Sequence, residues 1–402
     1  MNFNPRVVEI TTARQACLEL KKVDCHASGI NIMADKAVFR TIKLEQVPAK
    51  AASLLKQTFL AKGGEVAVAR GTADLSVEYT DVLICATLKQ YKLAVSQLKL
   101  QPWGLPRLAC CIEELLAFAE TFPARHYQWS NQQLTIKPGR TLIMGILNIT
   151  PDSFSDGGKY NRVELAMKRT EELIAAGADI IDIGAESTRP YAGAEVISAR
   201  EELDRLLPVV EQVIACSSVP ISIDTYKSSV AYEALKLGAH MINDVWGLQK
   251  DPAMAEVIAK FDVPAIVMHN QQGTHYARDI MAHICEYLQR SVALGVAAGI
   301  DRSKMIIDPG IGFGKTPAQN LDVMSRLEQL AAVGCPVLLG TSRKRFIGEV
   351  LGAEVDDRVE GTGATVALGI VKGVNIVRVH DVRAMTRVAR MMDAMLGSGE
   401  NG

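Results

Sequence analysis

The chain has 402 residues, 48% of them hydrophobic and 22% charged, and its 44 Lys and Arg against 45 Asp and Glu leave a formal net charge of −1. Such an apolar fraction excludes a disordered chain, and the near-neutral balance excludes the net basic face that nucleic acid or anionic lipid would require. The length suits two domains with ample cores, and small-molecule chemistry becomes the default.

The opening MNFNPRVVEI lacks the basic and then apolar regions of a secretory leader, and no run approaches the roughly 18 apolar residues of a membrane span. A cytoplasmic protein without membrane contact is expected. The eight cysteines include no CxxC pair and sit mostly in apolar segments, so they are expected to be buried free thiols.

Residues 1–122 read as a small α/β or α+β domain. The stretch INIMADKAVFRTIKLEQV precedes a helical PAKAASLLKQTFLAKGG, strands in EVAVAR and DVLICATL, a helix around AVSQLKL, and another through CCIEELLAFAE. No catalytic constellation stands out here, and Lys36, Arg40, Lys43 and Arg70 are expected on a solvated face. TFPAR marks the junction, followed by short strands HYQW and LTIK, the second expected to cap the bottom of the next domain.

From residue 141 one pattern repeats: a short apolar run, a polar or glycine-rich break, and a segment of helical periodicity. The runs are TLIMGILN, ADIIDIGAES, VPISIDTY, AHMINDVWG, VPAIVMHN, MIIDPGIG, CPVLLGTSRK and VNIVRVHD. Continuous apolar runs separated by helices mark strands buried on both faces of a parallel sheet. Eight units in about 260 residues predict a (β/α)8 TIM barrel over 123–402. Helices are expected over VELAMKRTEELIAAGA, SAREELDRLLPVVEQVIA, PAMAEVIAKF and PAQNLDVMSRLEQLAAVG.

Barrel enzymes work at the C-terminal ends of their strands, so the polar residue closing each run is a candidate. In order these are Asn148, Glu186 to Arg189, Asp224, Asn243 with Asp244, His269, Asp308, Ser342 to Lys344, and Arg378 with His380. The basic groups of the last two strands suggest an anion such as phosphate. Asp224, Asn243 and Asp308 suit a flat nitrogen heterocycle whose N–H edge seeks acceptors. The loops 148–158 and 187–190, rich in Gly and Pro, fit water-excluding lids. A P-loop at Gly314-Lys315-Thr316 would need glycine at Pro309, so those glycines are expected instead to let backbone approach a ligand.

In this order, LNITPDSFSDGG, GAESTRP, SIDTYK, IND, DPGIGFGK, TSRKRFIG and RVHDV closely resemble the dihydropteroate synthase family over about residues 125–400. The resemblance implies a transferase that joins (7,8-dihydropterin-6-yl)methyl diphosphate to 4-aminobenzoate. It places Asp224, Asn243, Asp308 and Lys344 on the pterin, with Met268 and Gly340 in the same substrate pocket. It further implies Asn148, Thr188, Arg378 and His380 on the diphosphate, Mg2+ on Asn148, and Phe154, Arg189, Pro190, Phe313 and Lys344 around the aminobenzoate. Asp156 and Asp308 would stabilise the pterin-methylene cation, and Lys344, Arg378 and His380 would share in catalysis. Some family members carry Ser after the lysine where this chain has Arg345. A homodimer and competition by sulfonamides are also implied. A pterin-dependent methyltransferase is the nearest alternative, although it needs neither a diphosphate site nor the second loop, and a Schiff-base role for Lys344 is another. The N-terminal domain does not resemble the pyrophosphokinase or aldolase domains sometimes fused to this family, so no second folate activity is expected of it.

Overall fold

The computed structural model describes residues 3–149, 159–186 and 197–398. Two compact units emerge among the described residues, one of residues 3–122 and one formed from residue 123 onward.

In the first unit, helices α1 (Ala13–Lys22) and α2 (Ala27–Ala37) lead into strand β1 (Phe39–Pro48), α3 (Ala49–Leu60), β2 (Glu65–Val68), β3 (Tyr79–Thr87), α4 (Leu88–Leu98) and α5 (Leu105–Glu120). The three strands form an antiparallel sheet in the order β1-β3-β2. Alternate residues Val82, Ile84 and Ala86 point to one face, where they meet Leu55, Phe59, Tyr91, Leu98, Leu105 and Ile112 from the helices. Thr87 and Gln90 form a capping box that starts α4. Lys36, Lys43 and Arg70 are exposed, but Arg40 is half-buried and bonds to Glu120 and to the Thr11 carbonyl. Its side chain ties the start of the sheet to α5 rather than facing solvent.

The second unit begins with the hairpin β4 (Arg125–Gln128) and β5 (Gln133–Ile136). It sits under the N-terminal ends of the strands that follow: Tyr127 donates to the Ser303 carbonyl at 3.0 Å, Gln132 to the Ser217 carbonyl at 2.8 Å, and Trp129 meets the His240 ring edge-on. The repeat is then β6 (Leu142–Asn148), α6 (Lys159–Ala175), β7 (Ile180–Gly184), α7 (Ala199–Cys216), β8 (Ile221–Asp224), α8 (Ser228–Lys236), β9 (Met241–Asp244) and α9 (Met254–Phe261). It continues with β10 (Ala265–Met268), α10 (Ile280–Ala297), β11 (Met305–Asp308), α11 (Pro317–Ser325), β12 (Leu338–Leu339), α12 (Arg345–Leu351), α13 (Val359–Val371), β13 (Ile376–Val379) and α14 (Val382–Ser398).

Eight of these strands pair in parallel in the order β11-β10-β9-β8-β7-β6-β13-β12, and a bridge between Ile307 and Val337 joins the two ends into a barrel. Every residue of β7 through β11 is buried, which is why those runs read as continuously apolar. Helix starts follow side-chain chemistry. Ser198 caps α7, and Thr316 with Gln319 forms a capping box before Pro317 at the start of α11. The last expected helix breaks early, because α11 stops at Ser325 and Leu327–Val333 tightens into a 3-10 helix. Leu327, Leu330 and Val333 keep a three-residue apolar spacing there, which suits three residues per turn.

All eight cysteines are free, but the expectation of burial fails for most of them: Cys335 is buried, whereas Cys110, Cys111 and Cys216 are exposed. The adjacent Cys110 and Cys111 follow the buried Ala109 on the amphipathic α5, so the helical turn carries them to its outer side. No helix among the described residues is long and apolar enough to cross a membrane.

His240 enters β9 with its ring buried, its Nδ1 accepting from the Ile221 N–H at 3.0 Å and its Nε2 3.3 Å from the side-chain Oδ1 of Asn131. Burial pushes it down to about 4. A depressed histidine leaves the unfolded chain binding more protons between pH 6.5 and 4, so its share of stability is complete above that window and is lost as pH falls through it. The wild type should therefore lose about 2 kcal/mol relative to His240→Leu between pH 7.5 and 5, measured by urea unfolding at each pH. A constant difference would show that the ring charges freely in the fold.

Candidate active site

At the C-terminal mouth of the barrel the parallel register sets Asn148 beside Gly184, Gly184 beside Asp224, and Asp224 beside Asn243. Three polar side chains thus share one row across four strands, and the glycine leaves room beside Asp224, where an added Cβ would lie 3.4 Å from the Asp224 Cβ. One layer below, Asp182 of β7 reaches the same group from an interior strand position.

Arg378 of β13 joins these residues. Its Nε donates to Asp182 Oδ2 at 2.6 Å and its Nη2 to Asp224 Oδ2 at 2.8 Å, while Asn243 Nδ2 donates to Asp182 Oδ2 at 3.0 Å. The second oxygen of each aspartate, Oδ1, is buried without a hydrogen-bond partner. Burial raises the Asp224 carboxyl from its ordinary value, with Arg378 pulling it back. For Arg378, burial opposes the charge, and Asp182 with Asp224 outweighs it, so the guanidinium is held more firmly protonated.

Asp308 closes β11, its Oδ1 accepting from the Gly310 N–H at 2.7 Å. Burial raises it against the opposing pull of Lys344. Lys344, after β12, is pushed down to about 8 by burial, with Asp308 resisting. Its ammonium donates to the Ile311 carbonyl and lies 4.7 Å from the centre of the Phe313 ring. Gly340 borders the same space: a Cβ there would come 4.0 Å from both Asp308 Oδ2 and Lys344 Nζ. Met268 is buried on β10 in register with Asp308. His380 follows β13, where Ser342 Oγ accepts from its backbone N–H at 3.1 Å and meets its Nδ1 at 3.0 Å.

Of the four basic groups expected at strands seven and eight, Arg343 is not available to an anion. Its guanidinium is held by Asp381 at 2.9 and 2.7 Å and by Asp356 at 3.0 Å. A left-handed backbone at Arg343, φ 58°, accompanies its engagement with those acids. Arg378 in turn is shared between two carboxylates rather than standing alone. Arg345 is exposed and pairs with Glu349 along α12.

Phe154, Asp156, Thr188, Arg189 and Pro190 lie outside the described residues. The two described positions that flank 187–196 are tied by one ammonium: Lys227 donates to Glu186 at 2.5 Å, to Glu202 at 2.6 Å and to the Ile197 carbonyl at 2.8 Å. Burial raises Glu202, and Lys227 opposes that shift. Sequence reasoning missed both Lys227 and Asp182, having taken the end of strand two as Glu186 onward. The signal for Asp182 was present as a lone acid inside the apolar IIDIG, since a charge in a strand buried on both faces requires a partner.

The comparisons with known proteins agree with this geometry. Residues 144–380 match the model of the family described as pterin binding enzyme. A dihydropteroate synthase of Bacillus subtilis is 52% identical over 282 residues, 69% of this chain and 98% of that protein. A probable bifunctional folylpolyglutamate synthase/dihydropteroate synthase of Halobacterium salinarum is 38% identical over 382 residues, 93% of this chain and 45% of that protein, so the similarity extends through most of residues 1–122. Among solved structures, Xanthomonas albilineans dihydropteroate synthase with 4-aminobenzoic acid is 39% identical, covering 68% of this chain and 99% of its own, with a TM-score of 0.64. The chain belongs to the pterin binding enzymes. Within them it is a transferase of the dihydropteroate synthase kind.

Asp182→Asn keeps the shape but weakens the charged hydrogen bond to Arg378, a kind of bond worth about 1.5–3 kcal/mol. We expect kcat/KM to fall roughly 10- to 100-fold on that basis while the far-UV spectrum and Tm stay near the wild type. Unchanged kinetics would remove Asp182 from the site.

Proposed function

We propose that the side chains at the barrel mouth of residues 123–402 carry out the condensation of (7,8-dihydropterin-6-yl)methyl diphosphate with 4-aminobenzoate as follows. The observation that carries this assignment is the pair of buried, unpartnered carboxylate oxygens on Asp182 and Asp224 beside Asn243 and Asp308. Burying acceptors without donors costs free energy, and a pterin edge, with its ring N–H and amino groups, supplies what they lack. Diphosphate departure leaves a resonance-stabilised cation at the pterin methylene. Asp308, fixed by the Gly310 N–H, and Asp156 stabilise that charge. Arg378 and His380, with Asn148 and Thr188, meet the diphosphate. The neutral amine of aminobenzoate then attacks the methylene carbon and sheds a proton to solvent. The aminobenzoate ring lies by Phe313 and Lys344, with Phe154, Arg189 and Pro190 completing its pocket and Met268 and Gly340 bordering the pterin.

Mg2+ fits the donor set in a limited way. Among the described residues no cluster of three His, Cys, Asp or Glu could cage an ion, but Mg2+ keeps waters and takes substrate phosphates, so the amide oxygen of Asn148 suffices as a protein ligand. When bound, it would neutralise charge on the leaving diphosphate. Sulfonamides, which share the aniline ring of aminobenzoate, would compete for its pocket.

A homodimer is supported by the outer surface of the last helices. Val350 and Leu351 on α12, Leu368 and Val371 on α13, and Met391 on α14 are all exposed apolar residues. Apolar side chains left exposed in number are candidates for association surfaces. A cytoplasmic location accords with eight free cysteines.

Two measurements test the reading. Asp156→Ala should slow turnover by about 100-fold or more, the scale of one lost electrostatic stabiliser, while dihydropterin-diphosphate affinity changes little. Equal losses in both would count against stabilisation of the cation. Val371→Glu with Met391→Glu should convert a sedimenting dimer to monomer, and a wild type that sediments as a monomer would end the dimer proposal.

A further inference from the structure

The lysine of the DPGIGFGK run has no part in the chemistry above, yet it is one of the most enclosed charges in the barrel. Lys315 is 6% exposed. An ammonium has three N–H bonds, and Lys315 Nζ has three acceptors: the Gly310 carbonyl at 2.9 Å, the Phe313 carbonyl at 3.1 Å and His269 Nδ1 at 2.9 Å. For Nδ1 to accept, the His269 ring must be neutral with its proton on Nε2. Burial and the adjacent Lys315 both enforce this, pushing the ring down to about 2. The imidazole is itself fixed by Tyr276, His283 and Tyr287 packed around it.

The turn that Lys315 holds is the one against which Lys344 rests. Ile311 accepts from the Lys344 ammonium, Gly312 lies so close that a Cβ would come 2.9 Å from Lys344 Cδ, and the Phe313 ring sits under Nζ. Thus 310 and 313 bond inward to Lys315, while 311, 312 and 313 face Lys344. The backbone tolerates this path only as glycine: Gly310 and Gly312 have φ of 67° and 84°, and a Cβ at Gly310 would lie 1.9 Å from the His269 carbonyl oxygen. Asn320 Oδ1 accepts the Gly312 N–H at 2.7 Å, and Tyr276 donates to the Gly314 carbonyl at 2.9 Å, securing the flanks.

We propose that Lys315, with His269 as its side-chain acceptor, is a positioning residue: it sets the Gly310–Phe313 turn so that Phe313 and Lys344 form the aminobenzoate side of the site. The proposal rests on the reading that Phe313 and Lys344 face that substrate. On the pterin side, Asp224 and Asn243 stand on other strands and Asp308 ends the buried β11 just before the turn, so that side should feel the change less than the aminobenzoate side.

Steady-state kinetics of the full chain test it, with Lys315→Met, His269→Leu, His269→Gln and Phe313→Ala measured in parallel. A turn displaced by less than an ångström is expected to raise the KM for 4-aminobenzoate about tenfold or more in Lys315→Met, with dihydropterin-diphosphate affinity within about threefold of wild type. His269→Leu should shift the same KM in the same direction. His269→Gln, which restores an acceptor, should return it to within about twofold. The two histidine variants carry the test if Lys315→Met does not fold. If Phe313→Ala raises the aminobenzoate KM while Lys315→Met and His269→Leu leave it unchanged, or raise both substrates' values in proportion, the positioning role is overturned. If Phe313→Ala leaves it unchanged, the pocket reading fails instead, and the positioning role of Lys315 fails with it.

Discussion

The guanidinium of Arg378 bridges two aspartates from different strands inside the barrel mouth, and much of the site depends on that bridge. Three charges taken out of water are tolerable only if each finds partners, and here Arg378 meets Asp182 and Asp224 while Asn243 adds a donor to Asp182. The arrangement constrains β7, β8, β9 and β13 together, because a slip of one residue in any strand would turn its polar group to the outer, apolar side. It also leaves two acceptor oxygens unsatisfied. On the proposed reading, a ligand rich in N–H donors would complete the network, so the same electrostatic requirement would select what enters the mouth.

The opposite wall is built on different physics. Where β7 and β8 present side chains, the connection after β11 presents backbone, wound through three left-handed glycines around the ammonium of Lys315. Backbone carbonyls take the place of carboxylates as its acceptors, and burial drives Lys315 down to about 7. A further lysine, Lys227, ties Glu186 and Ile197 on either side of 187–196. Around Lys315 a single ammonium holds the Gly310–Phe313 turn through backbone carbonyls, placing it without another strand or helix.

The first unit stands apart in character. Its antiparallel sheet buries one face under helices and shows the alternation expected of such sheets, while the barrel strands are apolar throughout. The Halobacterium salinarum relative, matched over 93% of this chain, is similar to residues of this unit as well as to the barrel.

The barrel and most of its mouth were legible in the sequence because periodicity is a local property. Eight buried runs ending in polar residues require neither partner nor register to be recognised, and Asp224, Asn243, Asp308 and Lys344 were all read from where those runs stop. What the sequence could not decide was how charges pair across distance. Arg343 and Arg378 look alike as basic residues closing strands, yet the fold gives one to Asp381 and Asp356 and the other to Asp182 and Asp224, 196 and 154 residues away. Asp182 was overlooked because it lies within its strand rather than at the end, and only closure of the barrel brings β13 next to β6 and its arginine within reach of β7. The sequence by itself determined the fold class, the family and which strand ends are polar. The tertiary structure decided which partners each of those charges meets, because electrostatic pairing depends on separation in space and the sequence records only separation along the chain.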